Sequence, residues 1–261
     1  NIKKIPLGLT RGSKANFEGY QCNSCNSLEN KNKFETKKYT EGYYSNIVNY
    51  ERDKLEPSYD YTGSLIEKLK KKGVKKILDF GSGDGMFALY LKKLGYAVDV
   101  LEPDPGYTKF LQNKFSKVYQ DVSQVDKYYD AVISIGVLEH LNEPIDHIKE
   151  ICNKVLVSGG FYVAQFPNIS GLGARLSIKN WDMIYESGHN YIPSATGLKI
   201  FFKNNKKHNI EVVDSFSSSI TSRGRIPWLP RRIYFLEMYY KKLLDAFWFF
   251  SKLNKFLWSL Q

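Results

Sequence analysis

The sequence predicts an α/β fold with a doubly wound, mostly parallel sheet, and three observations predict it. Between residues 61 and 166, apolar runs alternate with segments of helical period, the rhythm of strands joined by crossover helices. The runs are short and apolar, as befits strands buried beneath helices on both faces. A glycine-rich turn, Gly81-Ser82-Gly83-Asp84-Gly85, stands between the first run and the helix after it, where an open parallel sheet presents its ligand site.

Each element follows in order. Residues 1–60 are polar, tyrosine-rich and weakly periodic, and read as a loop-rich lead with a helix near 44–55. Leu65, Ile66 and Leu69 set a helix over 61–72, and Gly73 stops it. A strand over 74–80 leads into the glycine turn, a helix over 86–94 ends at Gly95, and a strand over 96–102 ends at Glu102. A helix over 107–115, a short strand over 117–120, a buried strand over 129–136 and a helix over 145–156 follow. Ser158-Gly159-Gly160 reads as the turn after that helix, and 161–166 as a strand stopped by Pro167. Residues 167–195 are loop-like, and a loop that long inside a domain is usually functional, as a lid or substrate wall. A helix over 196–206 and a strand over 210–216 close the pattern. The domains expected are a lead or cap segment (1–60), a central domain (61–225, with the insert 167–195) and an aromatic, basic helical tail (226–261).

Composition excludes several classes. The chain has 261 residues, 43% of them hydrophobic, so it can build a core and is not disordered. Three cysteines make no disulfide framework, and no uncharged apolar run is long enough for a spanning helix. The N-terminus lacks the features of a secretory signal, so the cytoplasm is the expected location; it also lacks a Met, as a trimmed product would. Net charge is +11, but residues 77–230 are neutral and the excess lies in the flanks. That placement argues against a nucleic-acid partner, whose phosphates would draw the charge to the active face.

The glycine turn is a nucleotide or anion cradle, because glycines let the backbone approach a ligand and the following helix offers free N–H groups. No Lys-Ser/Thr follows, which excludes a Walker A loop. The spacing is G-x-G-x-G with Asp79 two residues earlier, rather than the G-x-G-x-x-G of dinucleotide proteins. ILDFGSGDG (77–85), Glu102 at the end of the next strand, Gln120-Asp121-Val122, and YDAVISIGVLEHL (129–141) stand in an order that resembles the class I S-adenosylmethionine-dependent methyltransferases, small-molecule branch. The resemblance implies a Rossmann-like, seven-stranded sheet with the last strand antiparallel. It also implies S-adenosylmethionine as cofactor and S-adenosylhomocysteine as product. Asp79, Gly81, Gly83, Gly85, Glu102, Pro103, Asp121, Val122 and Gly136 become the cofactor contacts, Glu102 holding the ribose hydroxyls and Asp121 the adenine amine.

The insert and Phe166-Pro167-Asn168 resemble methyltransferases of bacterial surface-polysaccharide and nucleotide-sugar pathways. A sugar substrate is implied, with Glu139, Asn168, Trp181, Tyr185 and Tyr191 as contacts. Removing a proton from an oxygen nucleophile adds roughly 10²–10⁴ in rate. His140, just past the fourth strand, is the first choice of base and His189 in the insert the second; His147 and His208 read as solvated. Cys22-Asn-Ser-Cys25 has the spacing of half a zinc site, and structural zinc needs four ligands. No second pair exists, so no metal is expected. Cys152 reads as a buried small apolar residue.

The tail holds 11 aromatics and a thin polar stripe of Glu237, Lys241 and Asp245. Such a helix docks on its own domain, forms a homodimer through 231–261, or lies on the inner face of the membrane with its Arg and Lys toward headgroups. The reading is a sugar O-methyltransferase acting on a nucleotide- or lipid-linked acceptor. A quinone or lipid methyltransferase, an RNA methyltransferase and a non-catalytic cofactor-binding scaffold are its rivals.

Overall fold

Two sheets organise the chain. In the computed structural model, which describes residues 4–11, 15–33, 62–171, 174–175, 178, 181–186 and 188–204, the larger sheet has five parallel strands. They are β4 (Lys76–Phe80), β5 (Ala97–Leu101), β6 (Val118–Tyr119), β7 (Tyr129–Ile135) and β8 (Leu156–Gln165), in the order β6-β5-β4-β7-β8. The order reverses between β5 and β7 around β4, so the crevice beyond the carboxyl end of β4 is the topological switch point.

The strands alternate their side chains between two cores. Ile77, Val98, Val100, Ala131 and Ile133 face helices α1 (Thr62–Lys71), α2 (Met86–Lys93) and α3 (Pro105–Leu111), meeting Leu65, Leu69, Ala88, Leu91 and Leu111. Leu78, Phe80, Leu101 and Val132 face α4 (Pro144–Lys154) through Ile151 and Val155. Each fully buried aliphatic side chain contributes about 1.5–3 kcal/mol, so both faces are held. Gly73 and Gly95, at φ 69° and 93°, end α1 and α2 as expected.

Two expectations change here. The helix after β5 starts at Pro105 and ends at Leu111, because the buried Asp104 caps it by accepting from the Gly106 and Tyr107 N–H groups. Ser158-Gly159-Gly160 is not a turn but part of β8, whose register against β7 shifts between Tyr129 and Ala131. Gly159, at φ 77°, absorbs the irregularity. The expected last strands, at 210–216 and beyond, lie outside the described residues, as do the helix at 44–55, His208 and the tail.

The largest correction concerns the lead. Residues 1–60 do not read as loop alone: β1 (Lys4–Arg11), β2 (Ala15–Cys22) and β3 (Leu28–Asn30) form an antiparallel meander. The insert supplies its fourth strand, β9 (Tyr191–Ile192), which pairs with β3 through Leu28↔Ile192 and Glu29↔Tyr191. The insert is therefore not a free loop. Phe17, Leu28, Ile169, Ala174, Trp181, Ile184 and Ile192 pack into a core of their own. Helix α5 (Ala195–Asn204) follows, packing through Phe202 against Leu138 and Ile148.

Candidate functional site

The cradle is built from the backbone outward. β4 ends at Phe80, and Gly81, Gly83 and Gly85 all take positive φ, at 70°, 54° and 72°. A Cβ at Gly81 would lie 2.5 Å from Val137 Cγ2, and one at Gly85 2.4 Å from Leu111 Cδ2, so both glycines are pressed against side chains. Nothing lies within 4 Å of a Cβ built at Gly83, the open side of the turn.

Glu102 ties the turn to β5. Its Oε2 accepts the Gly83 N–H at 2.7 Å, and its Oε1 accepts the Asp104 N–H at 3.0 Å. A carboxylate has about four acceptor positions, so each oxygen keeps one for a ribose hydroxyl. Burial pushes the carboxyl's pKa up, against the pull of those two amides. Asp79 is 3% exposed, its Oδ2 has no partner, and burial with the Glu102 and Asp84 charges raises it to about 7. Ser82 Oγ is likewise buried and unpartnered. Three acidic or hydroxyl groups converging on an open glycine turn fit a cofactor that carries hydroxyls and an ammonium group.

The other expected cofactor residues are more dispersed. Pro103 sits half-buried ahead of α3. Asp121 is exposed and caps a short turn, Val122–Gln124, where its Oδ1 accepts from Ser123 N–H at 2.8 Å and Ser123 Oγ at 2.5 Å. These bonds hold its pKa below the usual carboxylate range and leave Oδ2 as its outward acceptor. Val122 packs beside the Leu78 core. Gly136, at φ 67°, turns the chain out of β7.

That turn delivers the second half of the site. The single turn Leu138–His140 brings Glu139 and His140 against His189 of the insert, and one ligating atom from each lies within 4.8 Å of the others. The imidazole rings of His140 and His189 are 5.0 Å apart. His140 Nδ1 lies 2.8 Å from the Gly188 carbonyl, and His189 Nδ1 2.8 Å from the Met183 carbonyl. Burial lowers both pKa values, so both rings are neutral near pH 7. Glu139 is 4% exposed, its Oε2 has no partner, and burial raises it to about 8.

The small sheet clamps this group. Asn190 donates from its backbone N–H to the Glu139 carbonyl (2.7 Å) and from its side chain to the His140 carbonyl (2.9 Å) and Asn142 Oδ1 (3.1 Å). Asn30 of β3 donates to the His189 carbonyl at 3.2 Å. The asparagines Asn30, Asn142 and Asn190 carry no sequence signal for this task, since their partners are distant in the chain.

Several expected substrate contacts are structural. Trp181 is not a pocket platform but a core side chain, 7% exposed among Phe17, Leu28 and Ile192. Tyr185 packs half-buried on the same core, and Tyr191 lies in β9 with its phenol pKa raised by burial. Asn168 closes its own loop: its Oδ1 accepts from the Ser170 N–H and from the Ala195 N–H at the start of α5. His147 is not solvated; it stacks on Phe80 with ring centroids 4.4 Å apart, and burial lowers it to about 4. Cys22 ends β2 and Cys25 lies in the turn that leads to β3, where its Sγ–H donates to Ser27 Oγ at 3.3 Å. Cys152 is half-buried between two cores, and burial raises it to about 11.

A family model described as a methyltransferase domain matches residues 53–211, more than half of the chain. The tRNA U34 carboxymethyltransferase of Proteus mirabilis is 30% identical over 101 residues, 39% of this chain and 31% of that protein. The Campylobacter hominis protein of the same name is 23% identical over 172 residues, 59% and 58% of the two chains. The chain thus spans about a third to three-fifths of the length of these relatives. Among solved structures, magnesium protoporphyrin IX methyltransferase of Synechocystis PCC 6803 with bound SAH has 17% identity. It covers 73% of this chain and 84% of that one, with a TM-score of 0.45. The CcbJ methyltransferase of Streptomyces caelestis has 19% identity, 50% and 58% coverage and a TM-score of 0.41. The family match runs across the glycine cradle, Glu102 and the His140 turn alike: the chain belongs to the methyltransferase-domain family, and S-adenosylmethionine is its cofactor.

Proposed function

We propose that the chain methylates a hydroxyl of a sugar carried on a nucleotide or lipid, in the assembly of a surface glycan. When bound, the cofactor supplies an electrophilic methyl group on a sulfonium centre. Asp79 and Glu102 orient it, and the Asp121 carboxylate faces its base. Methyl transfer needs little beyond alignment, but a hydroxyl acceptor also needs to lose its proton. The single observation that carries the reading is the neutral His140–His189 pair with Glu139, set on the turn whose Val137 packs against Gly81 of the cradle. A group able to take up a proton therefore stands beside the methyl donor's site, under a wall formed by β9 and residues 188–190.

The test is calorimetric titration with S-adenosylhomocysteine, with NAD as control, followed by nucleotide sugars and labelled methyl transfer. Micromolar product binding, no NAD response and label in a sugar are expected. Product binding without label in any acceptor would favour a scaffold.

A second reading comes from the curated relatives, whose name describes carboxymethyl transfer to U34 of tRNA. Under it, labelled group transfer to unmodified tRNA exceeds transfer to any sugar and weakens steeply with salt. The tail's attachment to a membrane or a second copy stays part of the proposal. Among the described residues no helix is long and apolar enough to cross a membrane.

A further inference from the structure

We infer that Glu139, His140 and His189 form a binding site for one divalent transition-metal ion, of the zinc or cobalt type, with a position left for the acceptor hydroxyl. Two histidines and one carboxylate are a common donor set for such ions, and three protein ligands leave a tetrahedral ion one open position.

Three independent features support it. The first is proximity: the three ligating atoms lie within 4.8 Å of one another, although the residues come from a turn after β7 and from the insert. An ion bound at about 2.0–2.1 Å holds its ligands roughly 3.3–3.5 Å apart, so modest side-chain rotation closes the site.

The second is orientation. Carbonyl oxygens only accept hydrogen bonds, so the 2.8 Å contacts to Gly188 and Met183 place the proton of each ring on Nδ1. The lone pair of each ring is then on Nε2. Donation of Nδ1–H to a backbone carbonyl is the outer contact that fixes ligating histidines in their tautomer. Both rings have it, from two different carbonyls.

The third is the carboxylate. Glu139 Oε2 is buried and unpartnered. A buried carboxylate without a donor or cation is expensive. Without an ion, burial keeps the acid protonated at neutral pH; an ion would displace that proton and share the carboxylate with the two ring lone pairs. No fourth acid or cysteine offers a ligand atom within that distance among the described residues, while the Glu186 charge acts on all three.

The ion's task rests on the methyl-transfer reading; the binding site does not. The ion would act as a Lewis acid on the acceptor hydroxyl. The hydroxyl proton leaves to water, the oxygen forms its bond to the methyl carbon, and the carbon–sulfur bond breaks with its electron pair going to sulfur. The products are an ether, a neutral thioether and one proton. His140 and His189 then serve as ligands, and the ion lowers the hydroxyl's pKa so that water takes the proton in place of a histidine.

The test uses the full chain stripped of metal by chelation and titrated with Co²⁺, whose visible absorption reports its ligands. One Co²⁺ per chain, displaced by Zn²⁺, is expected, without the thiolate charge-transfer band. Glu139→Gln and His189→Ala should each weaken Co²⁺ binding at least tenfold while S-adenosylhomocysteine affinity stays within twofold, which also shows that the variants fold. The paired change Cys22→Ser with Cys25→Ser should leave Co²⁺ binding unchanged. An absence of stoichiometric Co²⁺, its loss in the cysteine variant, or undiminished binding in both Glu139→Gln and His189→Ala overturns the site. Failure of S-adenosylhomocysteine to bind, with Co²⁺ still bound, would instead overturn the methyl-transfer reading alone. Methyl transfer at full rate by the metal-stripped chain, in a preparation that takes up Co²⁺ normally when titrated, would overturn the ion's catalytic task.

Discussion

Around the glycine turn the side-chain hydrogen bonds stay within one strand–turn–helix–strand stretch: Glu102 reaches Gly83 across 19 residues and Asp104 across two. Around the histidine pair short ties, such as His189 to Met183 across six residues, are joined by long ones. His140 meets Gly188 across 48 residues, Asn190 meets His140 across 50, Asn30 meets His189 across 159, and Ser194 meets Ser27 across 167. Both regions stand at the carboxyl edge of the same sheet. The cofactor half is thus assembled by consecutive strand–turn–helix units, which close with little loop entropy. The acceptor half exists only once the small sheet has captured the insert. The cofactor cradle thus closes short loops, whereas the half proposed to take the acceptor depends on the most distant contacts.

The sharpest way to break the comparison is Trp181→Ala. It empties the cap core around Phe17, Leu28 and Ile192, at a cost of about 3–5 kcal/mol to that layer. Hydrogen exchange should rise across β2, β3 and β9 and acceptor turnover should collapse, while S-adenosylhomocysteine binds within twofold of wild type. Equal loss of product binding would mean that the two halves fold as one unit.

Asp79→Asn probes the cofactor half through pH. The folded carboxyl is raised to about 7, while the unfolded one ionises near its ordinary value. Folding therefore favours the protonated form, and this group removes stability as pH climbs from about 4 to 7, levelling above. The upper limit is about 4 kcal/mol. The ligand-free Asn variant should gain Tm over wild type progressively across that window in a pH series of thermal melts, and bind cofactor more weakly. A gain independent of pH would show that the Asp79 carboxyl is ionised in the fold.

Asn190→Ala takes two donors from the loop carrying His140, worth about 1–3 kcal/mol where carbonyl groups lose their partners. The expected outcome is a kcat lowered about tenfold with the KM for cofactor unchanged, read by steady-state assay.

Asn168→Ala carries the smallest effect. Loss of its cap on α5 should cost about 1 kcal/mol, visible as a small drop in Tm with the acceptor KM unaltered. A tenfold rise in that KM at constant Tm would return Asn168 to the substrate site.

The cofactor half was legible in the sequence because its logic is local. Asp79, the three glycines and Glu102 sit within one strand–turn–helix–strand unit, and residue type with spacing names their tasks. His140 was legible for the same reason, since it follows β7 directly. His189 was found by its type, but its meeting with His140 was not, because nothing in the spacing of residues 167–195 says that β9 will pair with β3. Trp181, read as a platform, became a core residue because the lead is a sheet and needs filling. Asp104 was missed although an Asp-Pro before a helix is an N-cap signal. His147 was misplaced because one turn of α4 faces Phe80, a register set by packing.

The sequence by itself determined the parallel sheet and the glycine cradle, since apolar period, a glycine-rich turn and an acidic strand end act through neighbours along the chain. Only the tertiary structure decided that the lead and the insert are one four-stranded layer, and that Glu139, His140 and His189 share a point in space. Side-chain identity gives each group its chemistry, but distance decides whether the groups act together, and here that distance is set by backbone pairing across more than 160 residues between β3 and β9.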